Sequence, residues 1–297
     1  MPSFNHVKFV ASAMRSVFQQ SHQNVEFLIV DDCSSDDTFR IVSNLASNKQ
    51  FRRRFHRLEL SRNERNMGAH YCLNLGIAAA RGEFITFINS DDLYEPDRLG
   101  LLASHCREPN APFFVFSAVR LIDALGERVK HHELKDILEA GPGRVASTLP
   151  SMSFGFLRYQ LTGSTGNIFV TRALLDEIDW FCSLRYCHDW EFVLRAITVV
   201  EPSYEPQTAY QYRIHAANTF DSLQLLANHD TAAALGSYYG IVARGLVSNN
   251  KAPTPKNWPY VFDMIARQFG VYEAWLREAR YHANYAVRQD MAAGGRN

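Results

Sequence analysis

The chain has 297 residues, 31 Lys plus Arg balanced against 31 Asp plus Glu, and a 46% apolar content. That is enough apolar material for one large packed domain or two modest ones, and it excludes a disordered chain. Zero net charge gives no support for broad nucleic-acid binding, and no run of about 20 apolar residues is available to span a membrane.

In chain order, residues 7–19 carry apolar pairs at Phe9/Val10, Ala13/Met14 and Val17/Phe18, the spacing of a one-faced helix. The stretch before it does not read as a signal peptide, so none is expected. Val25 to Val30 reads as a buried strand ending in acid, Asp31-Asp32, followed by a turn and a helix through Ile41, Val42 and Leu45. Asp36 and Asp37 fit capping positions in that turn. Arg52-Arg53-Arg54 reads as a solvated face, with contact to anionic lipid heads as the lesser alternative. A strand over 55–60, a turn at Asn66-Met67-Gly68 and a helix over 69–80 lead to Gly82. Helix 96–106 and strand 113–119 come next, then a mixed stretch, 126–152, read as a mobile loop region with a short helix near 134–138. A strand over 166–170, a helix over 171–178 capped by Thr171, a helix over 188–199 and an extended segment over 204–214 complete this part. From Asp221 onward the pattern is helical. The five cysteines, Cys33, Cys72, Cys106, Cys182 and Cys187, are scattered and read as reduced thiols of a cytosolic protein. Cys182 and Cys187 beside His188 match no zinc spacing.

Residues 82–95 organise this pattern. Phe84 to Ile88 is an apolar run, read as a buried and parallel strand, that passes directly into Asn89-Ser90-Asp91-Asp92. Adjacent carboxylates at the carboxyl end of a strand in an open α/β sheet suit a hard divalent cation bound with phosphates. A turn followed by an ordinary helix start is the bland alternative. The alternation of helix and strand predicts a mostly parallel sheet flanked by helices, with residues 1–220 as one domain and 221–297 as a helical C-terminal extension.

Several motifs in order resemble the family-two inverting glycosyltransferases of the GT-A fold. They are Pro2-Ser3-Phe4-Asn5-His6, Val30-Asp31-Asp32-Cys33-Ser34-Ser35-Asp36, Asn66-x-Gly68 with Asn74-x-Gly76-Ile77, Arg81-Gly82-Glu83 leading to Asn89-Ser90-Asp91-Asp92, His188-Asp189-Trp190-Glu191, and Tyr212-Arg213-Ile214-His215. The resemblance covers residues 1–220. It implies a nucleotide-binding sheet and transfer of a sugar from a nucleotide diphosphate sugar, UDP- or another NDP-sugar, to an acceptor hydroxyl. Ser3, Phe4, Asn5, Asp32, Gly68, Asn89 and Ser90 are its implied nucleotide-binding residues, with Phe4 under the base, Asp32 at the base or ribose and Asn89 and Ser90 near the ribose. Asp91 is the implied ligand of Mg2+ or Mn2+, His215 a further metal or phosphate contact, and Asp189 the general base. Asp189 at a helix start also fits a mere first-turn acid. Glu191 is expected to pair with Arg195 across one helical turn, and Trp190 to serve as core or acceptor-pocket wall.

The implied setting is surface polysaccharide or glycan synthesis in the cytoplasm, with a glycan, lipid-linked or protein acceptor and no nucleic acid. The aromatic-rich tail can dimerise or rest on the inner face of a membrane, although such a stripe is more often core. Two other readings stay open: a degenerate sugar-nucleotide binder or scaffold, and a nucleotidyltransferase. The latter is opposed by the lack of a Gly-rich basic segment at Pro2–His6. The pattern departs from the family at Asn89, where relatives commonly carry Asp, at Leu73, where they often carry a basic residue, and at His188, where an acid commonly precedes the base. The largest departure is at the start: a buried central first strand is missing, and the true chain is expected to begin upstream of Met1.

Overall fold

The structure is a computed structural model and describes residues 1–216 and 227–294. The onset of the tail at Asp221 and the boundary after residue 220 lie outside the described residues.

The elements in chain order are β1 (Pro2–Ser3), α1 (Val10–Phe18), β2 (Glu26–Asp31), α2 (Thr38–Ser47), α3 (Lys49–Arg53), β3 (Arg57–Arg62), α4 (Ala69–Ala79), β4 (Phe84–Thr86), β5 (Leu93–Tyr94), α5 (Arg98–Ser104) and β6 (Phe114–Ile122). There follow α6 (Glu133–Lys135), a π turn (Asp136–Ala140), α7 (Gly141–Thr148), α8 (Met152–Phe156), a 3-10 turn (Thr165–Asn167), β7 (Phe169–Thr171), α9 (Arg172–Ile178), α10 (His188–Val199) and β8 (Ser203–Arg213). The tail supplies α11 (Ala227–Ala243), α12 (Val261–Gln268) and α13 (Tyr272–Gly294).

The first acidic strand end is built as the pattern predicts. In β2 the run Phe-Leu-Ile-Val is packed on both faces. On one side α1 turns Val10, Ala13, Met14 and Val17 inward at helical spacing; on the other lies α4. The strand carries Asp31 and Asp32 at its end, both buried.

The strands form two sheets, β1-β2-β3 and β4-β7-β6-β8-β5. The first is parallel throughout. In the second only β6 and β8 run parallel; β4 pairs antiparallel with β7, β7 with β6, and β5 with β8. The α/β class therefore stands, with a more mixed pairing than a mostly parallel sheet, and β4 is antiparallel to its one partner. The reason is local. The helices between β6 and β7 double back and return the chain along β6 without a crossover, and a strand entered that way runs antiparallel. β4 is an edge, and β2 meets β1 only over Val30–Asp31. The first strand expected to be absent is present as the two-residue β1, and β2 and β4 do not pair with each other.

The mixed stretch is more helical than expected: the short helix near 134–138 is present, but helical structure runs on through 148 and resumes over 152–156, so the loop expectation is corrected there. Pro142 stands in the first turn of α7, where it costs no hydrogen bond. Glu139 accepts from the Leu121 N–H at 3.0 Å, tying the π turn to β6. The α8 start is held by the Glu201 carboxylate, which accepts from the Met152 N–H at 2.7 Å. The Thr171 hydroxyl likewise does not cap α9; it donates to the Ala111 carbonyl at 2.8 Å and accepts from the Phe113 N–H at 3.0 Å. Arg54, the last of the basic run, donates to the carbonyls of Phe18, Gln20, His22 and Gln23, whereas Arg52 and Arg53 are exposed.

The tail shares a core with the rest. Tyr238 and Tyr239 of α11 and Phe262 of α12 are buried in one cluster with Phe154, Phe156 and Phe192. Trp258 and Trp275 pack on the same cluster, while Tyr260 is 93% exposed. Glu191 and Arg195 pair as expected at 2.7 Å, and Ser237 of α11 donates to the same carboxylate at 2.8 Å. Burial alone raises the Glu191 pKa, but the Arg195 hydrogen bond and charge outweigh it and hold it below the usual carboxylate value. The stability it contributes is thus full above about pH 4.3, the unfolded value, and is lost as pH falls through the depressed folded value. Glu191→Gln is expected to flatten the acid limb of the stability curve below about pH 5 and to lower stability at pH 7 by about 3 kcal/mol, as urea melts across pH will show.

Candidate active site

The second acidic strand end brings three elements together. After β4 the chain runs through Ile88 into Asn89–Asp92. Asp92 is pinned from β8: its carboxylate accepts from the Arg213 N–H at 2.7 Å and from the Tyr210 hydroxyl. Arg213 in turn donates through Nε to the Asp91 carbonyl at 2.6 Å. This stitch fixes the end of β8, and two residues on His215 Nε2 lies 3.1 Å from Asp91 Oδ2. From the other side, β1 exits through Asn5, whose left-handed φ of 52° turns the chain toward the loop. His6 follows, with Nε2 3.6 Å from Asp91 Oδ2 and Nδ1 2.8 Å from the Ser90 hydroxyl. One ligating atom from each of His6, Asp91 and His215 lies within 4.8 Å of the others.

The two adjacent carboxyls are driven apart. Burial pushes Asp92 well above the ordinary value, and the Asp91 charge adds to the shift. Burial acts on Asp91 in the same sense, but the His215 hydrogen bond and the charges of His6 and His215 outweigh it and hold Asp91 below the ordinary value. Asp91 is the anion of the pair, and Asp92 is the brace. One carboxylate and two imidazoles form a donor set that fits a divalent ion of intermediate hardness, Mn2+ better than the oxygen-preferring Mg2+.

The remaining residues of the expected nucleotide site fall into four groups. Phe4 is 40% exposed at the β1 exit. Ser3 and Asn5 are engaged in structure: the Ser3 hydroxyl donates to Asp31 at 3.2 Å, and Asn5 Oδ1 accepts from the Ser35 N–H at 2.8 Å. Asp32 is a hub for the loop before α4. Its carboxylate accepts from Asn63 Nδ2 at 2.7 Å and from the N–H groups of Met67 and Gly68, both at 2.8 Å. Gly68 has φ of 91°, and an added Cβ there meets the His70 ring at 3.2 Å. Asn89 donates to Asp92 at 3.2 Å and to the Ser164 hydroxyl at 2.8 Å.

Ser164 and Thr165 link this loop to the start of α10. Thr165 Oγ1 lies 3.3 Å from His188 Nε2, one residue before Asp189. Asp189 is half-buried, and its carboxylate accepts only from the next residue's N–H, Trp190, at 2.7 Å among the described hydrogen bonds. His70 closes the arc. Burial first, then the charges of His188 and Arg185, hold its imidazole below the ordinary value, while Asp32 pulls the other way. The start of α10 thus adjoins both the Asp32 hub and the Asn89–Asp92 loop. From the tail, Asp230 accepts from the Tyr186 N–H at 2.8 Å and so anchors the turn into α10. The Trp190 indole donates to the Phe156 carbonyl at 2.7 Å, a core role. All five cysteines are free, and burial first pushes Cys182 to about 11 and Cys187 to about 12. Neither joins a metal-ligand group among the described residues.

Sequence reasoning did not assign His6, Ser164, Thr165 or Tyr210. His6 stands in a quoted motif and is a histidine beside a strand exit; the signal was there, but its partners are 85 and 209 residues away in the chain. Gly166 supports the arrangement, since a Cβ there comes within 2.0 Å of the Tyr210 hydroxyl. Gly166→Ala is expected to lower Tm by roughly 5–10 °C through overpacking at the residue that braces Asp92, measurable by differential scanning calorimetry.

The family model for Glycosyl transferase family 2 matches residues 1–178, and the chain belongs to that family. An uncharacterized glycosyltransferase of Rickettsia felis is 35% identical over 117 residues, which are 39% of this chain and 18% of that protein. The putative teichuronic acid biosynthesis glycosyltransferase TuaG of Bacillus subtilis is 34% identical over 33% of this chain and 36% of its own length. The chain therefore matches well under half the length of these curated relatives. Among solved structures, the mannosyltransferase PcManGT from Pyrobaculum calidifontis, in complex with GDP-Man and Mn2+, aligns over 99% of this chain and 77% of its own at a TM-score of 0.59 and 15% identity. S. aureus TarS in complex with UDP-GlcNAc aligns over 95% and 90% at 0.52 and 18% identity. These likenesses establish the GT-A-type fold.

Proposed function

We propose that the chain moves a sugar, with inversion, from a nucleotide diphosphate sugar to an acceptor hydroxyl, with a divalent cation held by His6, Asp91 and His215. The observation that carries this reading is the convergence of those three side chains, from the β1 exit, the β4 exit and the β8 exit, at one point. A cation bound there supplies neutralisation of the charge that develops on the departing diphosphate. Phe4, exposed at the β1 exit, offers a face for the base. Asp32 acts by holding the 63–68 loop, so its part in donor recognition is to position that loop; Asn89 and Ser90 present the metal loop to the ribose side.

Asp189 takes the proton from the acceptor hydroxyl as oxygen attacks the anomeric carbon, while the bond from that carbon to the diphosphate oxygen breaks on the opposite face. Its position on α10, an element separate from the metal loop, supports this role, because inversion needs base and leaving group on opposite sides of the sugar. The Ser164–Thr165 turn and Asp230 set the approach of α10 to the loop. An acceptor in surface polysaccharide synthesis, on the cytoplasmic side of a membrane, fits the class of the relatives, and the described residues contain no helix long and apolar enough to cross a membrane.

A thermal-shift screen of nucleoside diphosphates and their sugar esters with Mn2+ tests the reading. Stabilisation by one nucleoside diphosphate only when Mn2+ is present is expected; no response to any of them speaks for the scaffold alternative. Ser90→Ala removes the partner of His6 Nδ1 and is expected to weaken Mn2+ about ten-fold, measured by calorimetry with the nucleotide present.

A further inference from the structure

Arg98 opens α5 and is fully buried. Among the described residues it forms no ion pair. Its Nη2 donates to Asn167 Oδ1 at 2.8 Å and its Nε to the Ser117 hydroxyl at 3.2 Å, while Nη1 meets no partner. Two aromatic faces complete its surroundings. The guanidinium carbon lies 4.4 Å from the Tyr94 ring centre and 5.7 Å from that of Tyr210. Burial pushes its pKa down, yet a guanidinium stays charged inside a protein. A buried charge with no opposite charge beside it weakens a fold.

The hydroxyls of these two tyrosines lead to the loop that carries Asp91. Tyr94 donates to the Phe87 carbonyl, where the loop leaves β4, and Tyr210 donates to the Asp92 carboxylate, where the loop ends. The loop is therefore clasped at both ends by rings that share one cation. A cation on the face of a phenol favours negative charge on its oxygen and so strengthens the O–H as a donor.

The remaining arm of the guanidinium reaches the other half of the site. Asn167 closes the 3-10 turn whose Thr165 lies 3.3 Å from His188, the neighbour of Asp189. Asn167 Nδ2 donates to the carbonyls of Ser117 and Thr162 at 2.8 and 3.0 Å. The turn is thus tied to β6 at the point where its register with β8 shifts, between Ser117 and Ala118.

We infer that Arg98 is a positioning residue. Its guanidinium sets the Phe87–Asp92 loop through the faces of Tyr94 and Tyr210, and it sets the Thr165–Asn167 turn through Asn167. One buried cation thereby fixes the spacing between Asp91 and the start of α10, without touching donor or acceptor. Arg98→Met separates this role from packing. Methionine is a flexible side chain that fills irregular core space. Asn167 Oδ1 still accepts from the Ser117 N–H at 3.0 Å and from its hydroxyl at 2.8 Å, so the change orphans neither residue.

The test measures amide exchange, Tm and Mn2+ affinity in the presence of a nucleoside diphosphate, for the wild type, Arg98→Met, Arg98→Lys, Tyr210→Phe and the Arg98→Met/Tyr210→Phe double variant. Arg98→Met is expected to keep Tm within about 2 °C of wild type or to raise it. The Arg213 amide, which donates to Asp92, is expected to exchange at least about ten-fold faster, and Mn2+ to bind about ten-fold more weakly. Tyr210→Phe is expected to speed the same amide, and the double variant to add little, because both changes act through one contact. Arg98→Lys keeps the charge on the ring faces and gives up the fork to Asn167, so its Arg213 amide is expected to stay within about three-fold of wild type. Wild-type exchange at Arg213 in a folded Arg98→Met protein overturns the proposal. So does a fall in Tm with exchange raised evenly across β6, β7 and β8, the signature of a residue that only fills the core. Exchange in Arg98→Lys as fast as in Arg98→Met overturns the part given to the charge. The expected change in Mn2+ affinity rests on Asp91 being a cation ligand; if the wild type binds no Mn2+, that reading fails while exchange at Arg213 still decides the role of Arg98.

Discussion

Asp189→Asn is expected to leave donor and Mn2+ affinity within about three-fold of wild type and to lower the transfer rate by on the order of 10³-fold, the usual share of a general base. The side chain keeps its size and its bond to the Trp190 N–H through the amide oxygen, so α10 keeps its first turn. What it loses is the capacity to take a proton. Isothermal calorimetry with the sugar nucleotide and single-turnover transfer assays separate the two effects. Retained turnover would identify Asp189 as a helix-start acid only, worth about 0.3–1 kcal/mol of stability.

Asp91→Asn is the second large effect. Among the three clustered ligands Asp91 is the one that carries a formal negative charge at neutral pH, and His6 and His215 both bond or approach its Oδ2. Replacing it is expected to weaken Mn2+ by on the order of 10²-fold and to remove the Mn2+ dependence of nucleotide binding. Because the partner acid Asp92 is engaged by Arg213 and Tyr210, it is not free to take over as a ligand. The Asp92→Asn variant is therefore expected to act through the placement of β8 and to lower Tm rather than to imitate Asp91→Asn.

Much of this architecture is legible in the amino-acid sequence. The two greasy strands ending in acid, β2 with Asp31-Asp32 and the Phe84–Ile88 run with Asp91-Asp92, mark the carboxyl edge of the sheet, and α10 begins where the pattern of apolar residues puts it. The Glu191–Arg195 pair follows from helical spacing alone. The features that escape such a reading are long-range. His6 becomes a candidate ligand only because the β1 exit and the β8 exit flank the same loop. Asp32 resembles a donor contact, yet its oxygens are taken by Asn63, Met67 and Gly68, which only the closed loop reveals. The stretch 126–152 holds Gly-Pro-Gly, which reads as a break but serves as a helix start, since proline in the first turn gives up a hydrogen bond that no partner would have met. The direction of β7 depends on how the chain returns to β6, which a three-residue strand does not encode.

The central claim is that His6, Asp91 and His215 together hold the cation. Titration of Mn2+ followed by electron paramagnetic resonance, with a nucleoside diphosphate present, tests it on the wild type and on His6→Ala, Asp91→Asn and His215→Ala. The account predicts one tight site per chain and a loss of at least about ten-fold in affinity in each variant. Wild-type Mn2+ affinity in all three variants would contradict it.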